Sequence, residues 1–441
     1  MEMKELSSIL QQSGIVGAGG AGFPTYAKLD ERAETIILNC AECEPLLRLH
    51  RQLLVKYARE IVETFYMIGR TVGAKDIVIG IKKAYKKTIE ALNACIGDYE
   101  GVRLGLLDEV YPAGDEVVLI YEVTGKVVRP GGLPIESGVA VFNVETVYNV
   151  YRAVKAQTPV VDKLVSVVAE VKHPVTVRVP IGCTLEEVVS MAGGSTVRNP
   201  VYFVGGPMMG NIGIGSQPVT KTTNAILVLP EDHLIIQKKN RKASIDLKRA
   251  AASCCQCTMC TDLCPRNRLG HPIEPHKFMR AATCKDMQET EVFLNTMFCS
   301  SCGLCEMYSC MQSLSPRSLM ADYKAGLRAN GIRPPQGVEP KPVGPEREYR
   351  KVPMERLMAR LDLTQYDKEA PLQDEKADVK RVRILLGQHI GAPASPIVKP
   401  QDMVEAGQMI AEPGKGLSVG IHASITGRIT EVSDKCIVIE K

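Results

Sequence analysis

The sequence predicts an α/β multidomain fold, and three observations carry that expectation. Residues 51–100 alternate helical and strand patterns, with Asp76–Ile81 as a short apolar strand between helical stretches. Residues 165–225 read as two strands, a helix and a further strand. From Arg383 to Lys441 only strands and turns are visible. Between the second and third of these lies a helical stretch, 245–330, with cysteines at regular intervals. A length of 441 residues fits about three domains. The expected boundaries are 1–160, 161–240, 241–331, a linker over 332–380, and 381–441.

Composition excludes several classes. A net charge of +4 is too small to argue for nucleic acid or an anionic surface. No apolar run approaches the ~18 residues of a membrane helix; the densest, such as Ala225–Leu229, are of strand length. Met1-Glu-Met-Lys-Glu5 has no apolar signal region. Fifteen cysteines, most of them in short C-x2-C runs, fit a reducing cytosol rather than a disulfide framework, so the expected location is cytoplasmic.

In chain order, Leu6, Ile9 and Leu10 place a short helix over 4–12. Gly17, Gly19 and Gly22 then satisfy G-x-G-x-x-G, with Glu42 twenty residues beyond Gly22. A dinucleotide fingerprint must follow a buried strand, and what precedes these glycines is helical. Pro24 and Thr25 instead suggest a loop feeding a helix start. Glycines in such a loop let backbone N–H groups approach a phosphate or a ring closely. Next, Val165–Val168 and Val175–Val179 alternate as strands. Leu185–Met191 is helical and ends at Gly193-Gly194, and Tyr202-Phe-Val precedes a glycine turn. That order fits a small β-grasp module.

The cysteine stretch is the most specific signal. Cys254, Cys257 and Cys260 are spaced by two residues each, and Cys264 follows with Pro265 behind it. Cys299, Cys302 and Cys305 repeat the triple, and Cys310 closes it without a following proline. Three cysteines at i, i+3 and i+6 on a turning loop can each reach a different iron of one cubane. This is the ligand pattern of a ferredoxin-like domain with two [4Fe–4S] clusters, in which the fourth cysteine of each run serves the other cluster. By that pattern Cys254, Cys257, Cys260 and Cys310 hold one cluster, and Cys299, Cys302, Cys305 and Cys264 the second. Structural zinc sites also use C-x2-C pairs, but they leave the third cysteine of each triple unexplained. Cys255 and Cys284 are spare and are expected to be small buried hydrophobes.

Residues 332–380 are rich in Pro, Glu, Lys and Arg, as an exposed linker is. Met354, Leu357, Met358 and Leu361 place one short helix within it.

Gly17-Ala-Gly-Gly-Ala-Gly-Phe-Pro-Thr-x-x-Lys28 resembles the flavin loop of two proteins. They are the flavoprotein subunit of respiratory NADH:quinone oxidoreductase and the RnfC component of the Rnf complex. The resemblance continues through Thr35–Pro45 (with Asn39, Glu42 and Glu44), Tyr111–Glu116 and Asn143–Thr146. It implies FMN contacts at Gly17, Gly19, Gly20, Gly22, Lys28, Asn39, Glu42, Gly114, Asn143 and Thr146. It places Phe23, Glu44, Asp115 and Glu116 nearer the nicotinamide of NADH, with Asp115 standing where a glutamate is usual. Residues 161–240 resemble the soluble-ligand-binding β-grasp (SLBB-like) domain of RnfC. The tail resembles a biotinyl/lipoyl-like barrel-sandwich hybrid, and Pro413-Gly-Lys-Gly416 is not a carrier sequence. In RnfC that module comes first; here it comes last. This order resembles the cobalamin reductases of propanediol-utilisation microcompartments. That resemblance implies an NADH-dependent oxidoreductase that reduces cobalamin, inside a bacterial microcompartment. The implied partners are an adenosyltransferase and a shell protein. The alternatives are an Rnf-type protein docking on a membrane complex and a non-catalytic cluster-bearing scaffold. No D-x-H-x-x-G cobalamin motif is present, and no acid–base constellation is required.

Overall fold

The fold is seen in a computed structural model that describes residues 1–284 and 288–441. After helix α1 (Met3–Gln12) and the glycine loop, the first domain is built on a parallel sheet. Its strands are β1 (Thr35–Cys40), β2 (Asp76–Lys82), β3 (Val102–Leu107) and, after a two-residue strand β4 (Val110–Tyr111), β5 (Val139–Asn143). The order is β3-β2-β1-β5, with every pair parallel. β1 and β2 are buried almost throughout, which is why they read as unbroken apolar runs rather than as alternation. The connections include α2 (Leu49–Lys56), α3 (Ala58–Val72), α4 (Lys86–Ile96), α5 (Glu116–Thr124) and α6 (Val144–Lys155). α3 buries Ile61, Phe65, Ile68 and Val72 along one face and stops at Gly73, whose φ of 78° is the left-handed C-terminal turn. The strand order reverses at β1, with β2 on one side and β5 on the other. Ligands of open parallel sheets bind at the carboxyl ends of the strands beside such a reversal.

The second module contains β6 (Asp162–Ala169), β7 (Val175–Pro180), helix α7 (Leu185–Met191), β8 (Pro200–Val204), β9 (Asn211–Gly213) and β10 (Ala225–Pro230). Thr184 caps α7 in a reciprocal capping box with Glu187. Two further strands come from 332–380. β11 (Val352–Pro353) pairs with β4, and β12 (Leu372–Lys376) lies parallel to β7. The resulting sheet runs β12-β7-β6-β10-β8-β9.

The exposed linker expected over 332–380 is therefore corrected. Its helix forms over Met354–Arg360, and Leu357, Leu361 and Leu363 are fully buried against Phe203, Leu227 and Leu304. A charge-rich composition hid a few apolar residues whose partners, Phe203, Leu227 and Leu304, lie far away in the sequence.

The cysteine stretch folds as short helices around a core of Phe278, Phe293, Leu319 and Met320, with Phe293 stacked on Tyr323 at 5.2 Å. The tail forms two small sheets. They are β13 (Arg381–Leu385), β15 (Met403–Val404), β18 (Gly427–Val432) and β19 (Cys436–Glu440) on one side, and β14 (Ser395–Pro396), β16 (Met409–Glu412) and β17 (Ile421–His422) on the other. It packs back on the start of the chain: Gly420 N donates to Gln11 O at 3.0 Å and Ile390 N to Gly22 O at 3.3 Å. The buried Lys221 ammonium donates to Gly14 O (2.7 Å) and Gly420 O (3.0 Å), and burial lowers its pKa to about 7. Among the described residues no helix is long and apolar enough to cross a membrane.

Candidate flavin cavity and cysteine centres

The glycine loop lies over the carboxyl ends of β1 and β5, at the reversal of strand order. Two adjoining cavities open there. One, of about 820 Å3, is lined by Gly17, Gly19, Gly20, Gly22, Phe23, Lys28, Asn39, Glu116, Asn143 and Thr146, among others. The second, of about 570 Å3, adds Glu42, Glu44 and Gly114.

Local bonds explain how these side chains are held. Asn143 caps α6, its Oδ1 accepting from Glu145 N (2.9 Å) and Thr146 N (3.3 Å). Thr146 Oγ1 accepts from Ala18 N at 3.0 Å and so ties the glycine loop to α6. Asn39 Nδ2 donates to Gly114 O at 2.9 Å, joining the end of β1 to the loop before α5. The Lys28 ammonium donates to Val141 O at 3.0 Å.

Asp115 lines neither cavity. It caps α5 through Val117 N (3.1 Å) and Val118 N (3.2 Å), and its second oxygen pairs with Arg266 at 3.0 Å. A side chain one carbon shorter than glutamate folds back on its own helix start instead of reaching the cleft. Cys43, His50 and Asn224 are among the lining residues that were not anticipated. His50 Nε2 stands 3.1 Å from Asn143 Nδ2. No local pattern marks these residues; only the fold brings α2 and the end of the β-grasp loop to this wall.

The cavity fits a polar, ring-bearing group. An added Cβ on Gly20 would meet nothing within 4 Å, so the loop faces open space at that point. Glu42 Oε2, Glu44 Oε1 and His50 Nδ1 are buried without a hydrogen-bond partner among the described residues, a state that costs about 1–3 kcal/mol each unless a ligand supplies one. Glu44 Oε2 accepts from Met208 N at 2.9 Å, across from the β-grasp module. Burial pushes the Glu44 carboxyl up to about 7, against the smaller lowering effect of its bonds to Met208 and Met209.

The cysteines form two groups. Cys254, Cys257, Cys260 and Cys310 line one small cavity with His276, Met279 and Met311. In the other, Cys264 neighbours Cys299, and Cys302 neighbours both. Cys305 sits beside Cys299 and Cys302. Each group thus takes its fourth cysteine from the other run. The two loops repeat one backbone path: Gln256 (φ 53°) and Ser301 (φ 60°) are left-handed at equivalent places, as are Thr258 (62°) and Gly303 (86°). Such conformations are strained for non-glycine residues and turn successive N–H groups inward. Ser301 N donates to Cys299 Sγ at 3.3 Å, and Leu314 N to Cys310 Sγ at 3.4 Å. Burial first, and adjacent thiols second, push Cys260 up to about 12. Thiols crowded this way ionise readily only when a cation shares their charge. Among the described residues no group of three or more His, Cys, Asp or Glu side chains is placed to hold a single metal ion. The spare Cys255 and Cys284 are exposed, not buried as expected, Cys284 at the last position of the helix Pro275–Cys284.

The two centres are not equivalent in position. Tyr111 OH donates to Cys302 O at 2.6 Å, so the Cys299–Cys305 loop lies against the flavin domain. Cys257, by contrast, is exposed.

Comparison with known proteins divides the chain along the same lines. A Nuo51 FMN-binding domain matches residues 10–152, an SLBB domain 164–211, a 4Fe-4S dicluster domain 253–315 and an RnfC barrel sandwich hybrid domain 364–441. Cobalamin reductase PduS of Salmonella typhimurium is 40% identical over 440 residues, 99% of this chain and 96% of that protein. Its counterpart in Citrobacter freundii is 39% identical over 98% of this chain and 95% of that protein. The chain belongs to the PduS cobalamin reductase family. Its PduS relatives therefore match all four modules in a single stretch. The fold alone is shared with a chain of an NAD+-reducing [NiFe]-hydrogenase, at a TM-score of 0.50 and 20% identity over 76% of this chain and 64% of that chain.

Proposed function

We propose that this chain is an NADH-dependent cobalamin reductase that binds one FMN and two [4Fe–4S] clusters. The observation that carries the proposal is the full-length match to PduS cobalamin reductases, joined to the cavity with orphaned polar atoms at the β1–β5 reversal. FMN, when bound, accepts an electron pair as hydride and releases electrons singly, which the clusters and a corrinoid require.

The chain's own residues hold and orient these groups. The Gly17–Gly22 loop offers backbone N–H groups, and Lys28 offers a cation held at the cavity wall. Asn39, Glu42, Gly114, Asn143 and Thr146 supply the polar edge for the flavin. Phe23, Glu44 and Glu116 face the nicotinamide side, where Glu44 can hold a proton near neutral pH. The Met208 loop of the β-grasp module covers Glu44 and keeps water from it. Cys254, Cys257, Cys260 and Cys310 ligate one cluster; Cys299, Cys302, Cys305 and Cys264 ligate the other. The setting is a propanediol-degrading microcompartment, with an adenosyltransferase and a shell protein as partners.

The test is the anaerobically purified protein with a Cys302→Ala variant beside it. Wild-type protein should hold about eight irons and eight sulfides and reduce cob(III)alamin with NADH. The variant, if folded, should keep NADH oxidation by ferricyanide and lose most of its cobalamin reduction. Equal cobalamin reduction in both proteins would refute the role of this centre. Stoichiometric zinc in place of iron would refute the clusters.

A further inference from the structure

We propose that the cleft between α2, the first turn of α4 and the chain entering β12 binds a phosphate ester, carried by a nucleotide or by the nucleotide tail of a corrinoid. The cleft has a volume of about 500 Å3. Arg48, Arg51, Lys56, Lys86 and Lys87 line it around Tyr85, and Glu369 is the one carboxylate among its described lining residues.

Three of these five cations, Arg48, Arg51 and Lys56, are paired with carboxylates. Arg48 pairs with Asp367 at 2.6 Å and Lys56 with Asp374 at 2.8 Å. The run Lys82-Lys-Ala-Tyr-Lys-Lys87 contains four lysines, and it divides cleanly. Lys82 pairs with Glu109 (2.9 Å) and Lys83 with Asp108 (2.8 Å), both away from the cleft. Lys86 and Lys87 have no ion pair or hydrogen bond through their ammonium groups among the described residues, and these are the two that face the cleft.

The wall behind them is built and incompletely satisfied. The Arg51 guanidinium lies on the Tyr85 ring at 4.2 Å from its centroid, which fixes its plane. Its Nε is buried without a hydrogen-bond partner, the nearest carboxylate oxygen being that of Glu42 at 3.7 Å. Gln52 Oε1, in the same wall, is also buried and unpartnered. Finally, α4 begins here with no side-chain cap, directly after β2 and at the carboxyl edge of the parallel sheet. Lys86 N already donates to Ala84 O at 3.0 Å, and the uncapped first turn of α4 puts the positive end of the helix dipole beside the two lysines. Two ammonium groups without a partner, beside a guanidinium that also donates to Leu47 O at 3.0 Å, are the donor set for a phosphate ester.

The cleft is separate from the flavin cavity but backs onto it. Tyr85 OH donates to Glu42 O at 3.0 Å, and Glu42 lines the cavity on the other side.

The test uses the purified full-length protein and a Lys86→Gln/Lys87→Gln variant, whose exposed side chains can change without disturbing the core. The probes are inorganic pyrophosphate, ADP, cobalamin and cobinamide, which lacks the phosphate ester. Binding is followed by calorimetry, and protection of Lys86 and Lys87 by amine labelling with mass spectrometry. Pyrophosphate should protect both lysines, and its affinity should fall about ten- to a hundredfold in the variant, as loss of charge-assisted hydrogen bonds requires. Protection by ADP assigns the site to a nucleotide; protection by cobalamin but not cobinamide assigns it to the corrinoid tail. Absence of protection by every probe overturns the proposal, and so does equal affinity in the variant. FMN content is read separately: protein that binds no FMN but shows the protection loses the flavin reading and keeps this site.

Discussion

Gly20→Val separates a ligand-facing loop from a merely structural turn. A Cβ at Gly20 has no atom within 4 Å, and the residue's φ is not left-handed. The substitution should therefore leave the fold intact, or stabilise it by about 0.4–1 kcal/mol through the unfolded chain. With FMN bound, the valine methyl groups would stand where the loop meets the flavin. Overpacking of that kind costs about 1–3 kcal/mol, which weakens binding about five- to 150-fold. Gly19→Val would not give a clean answer. Its Cβ would run into the Asn143 side-chain amide, disturbing the cap of α6 as well as any ligand. The assay is FMN titration of flavin-stripped protein by fluorescence quenching, with the melting temperature of the apo protein alongside. Wild-type FMN affinity in Gly20→Val would refute the placement of flavin against this loop.

Three further substitutions test particular residues. The folded Glu44 carboxyl has its pKa raised to about 7 from the ordinary 4.5, so the native state holds more protons than the unfolded chain and loses stability as pH rises between those values. Glu44→Gln apo protein should gain on wild type over that window by at most about 3 kcal/mol, with the gap constant above it; a pH-independent gap in melting temperature would contradict this. Asp115→Ala should lower stability by about 1–2 kcal/mol through the lost cap of α5 and leave the KM for NADH unchanged. A raised KM without loss of stability would restore Asp115 to the nucleotide site. Leu361→Ala should cost about 2–5 kcal/mol by denaturant titration, as a core truncation does. No change would mean that 332–380 is an exposed linker after all.

What could be read from the sequence was chemistry confined to short stretches. Three cysteines within seven residues share one turning loop, and the glycines of Gly17–Gly22 share another, so their meaning survives without a partner. The helix over Met354–Arg360 and the strand runs of β1 and β2 were legible for the same reason, since periodicity is a property of neighbours. The tertiary structure decided everything that depends on distant pairs. The exchange of fourth cysteines, Cys310 beside Cys254, Cys257 and Cys260 and Cys264 beside Cys299 and Cys302, was implied only by the ferredoxin pattern and takes physical form in the fold. The fold carried Leu361 into a core with Phe203, turned Asp115 from the cleft to Arg266, and set His50 beside Asn143. Backbone geometry determines the first kind of feature within a few bonds. The second kind is set by which apolar faces and buried charges find partners when the whole chain closes, and no window of sequence contains both members of such a pair.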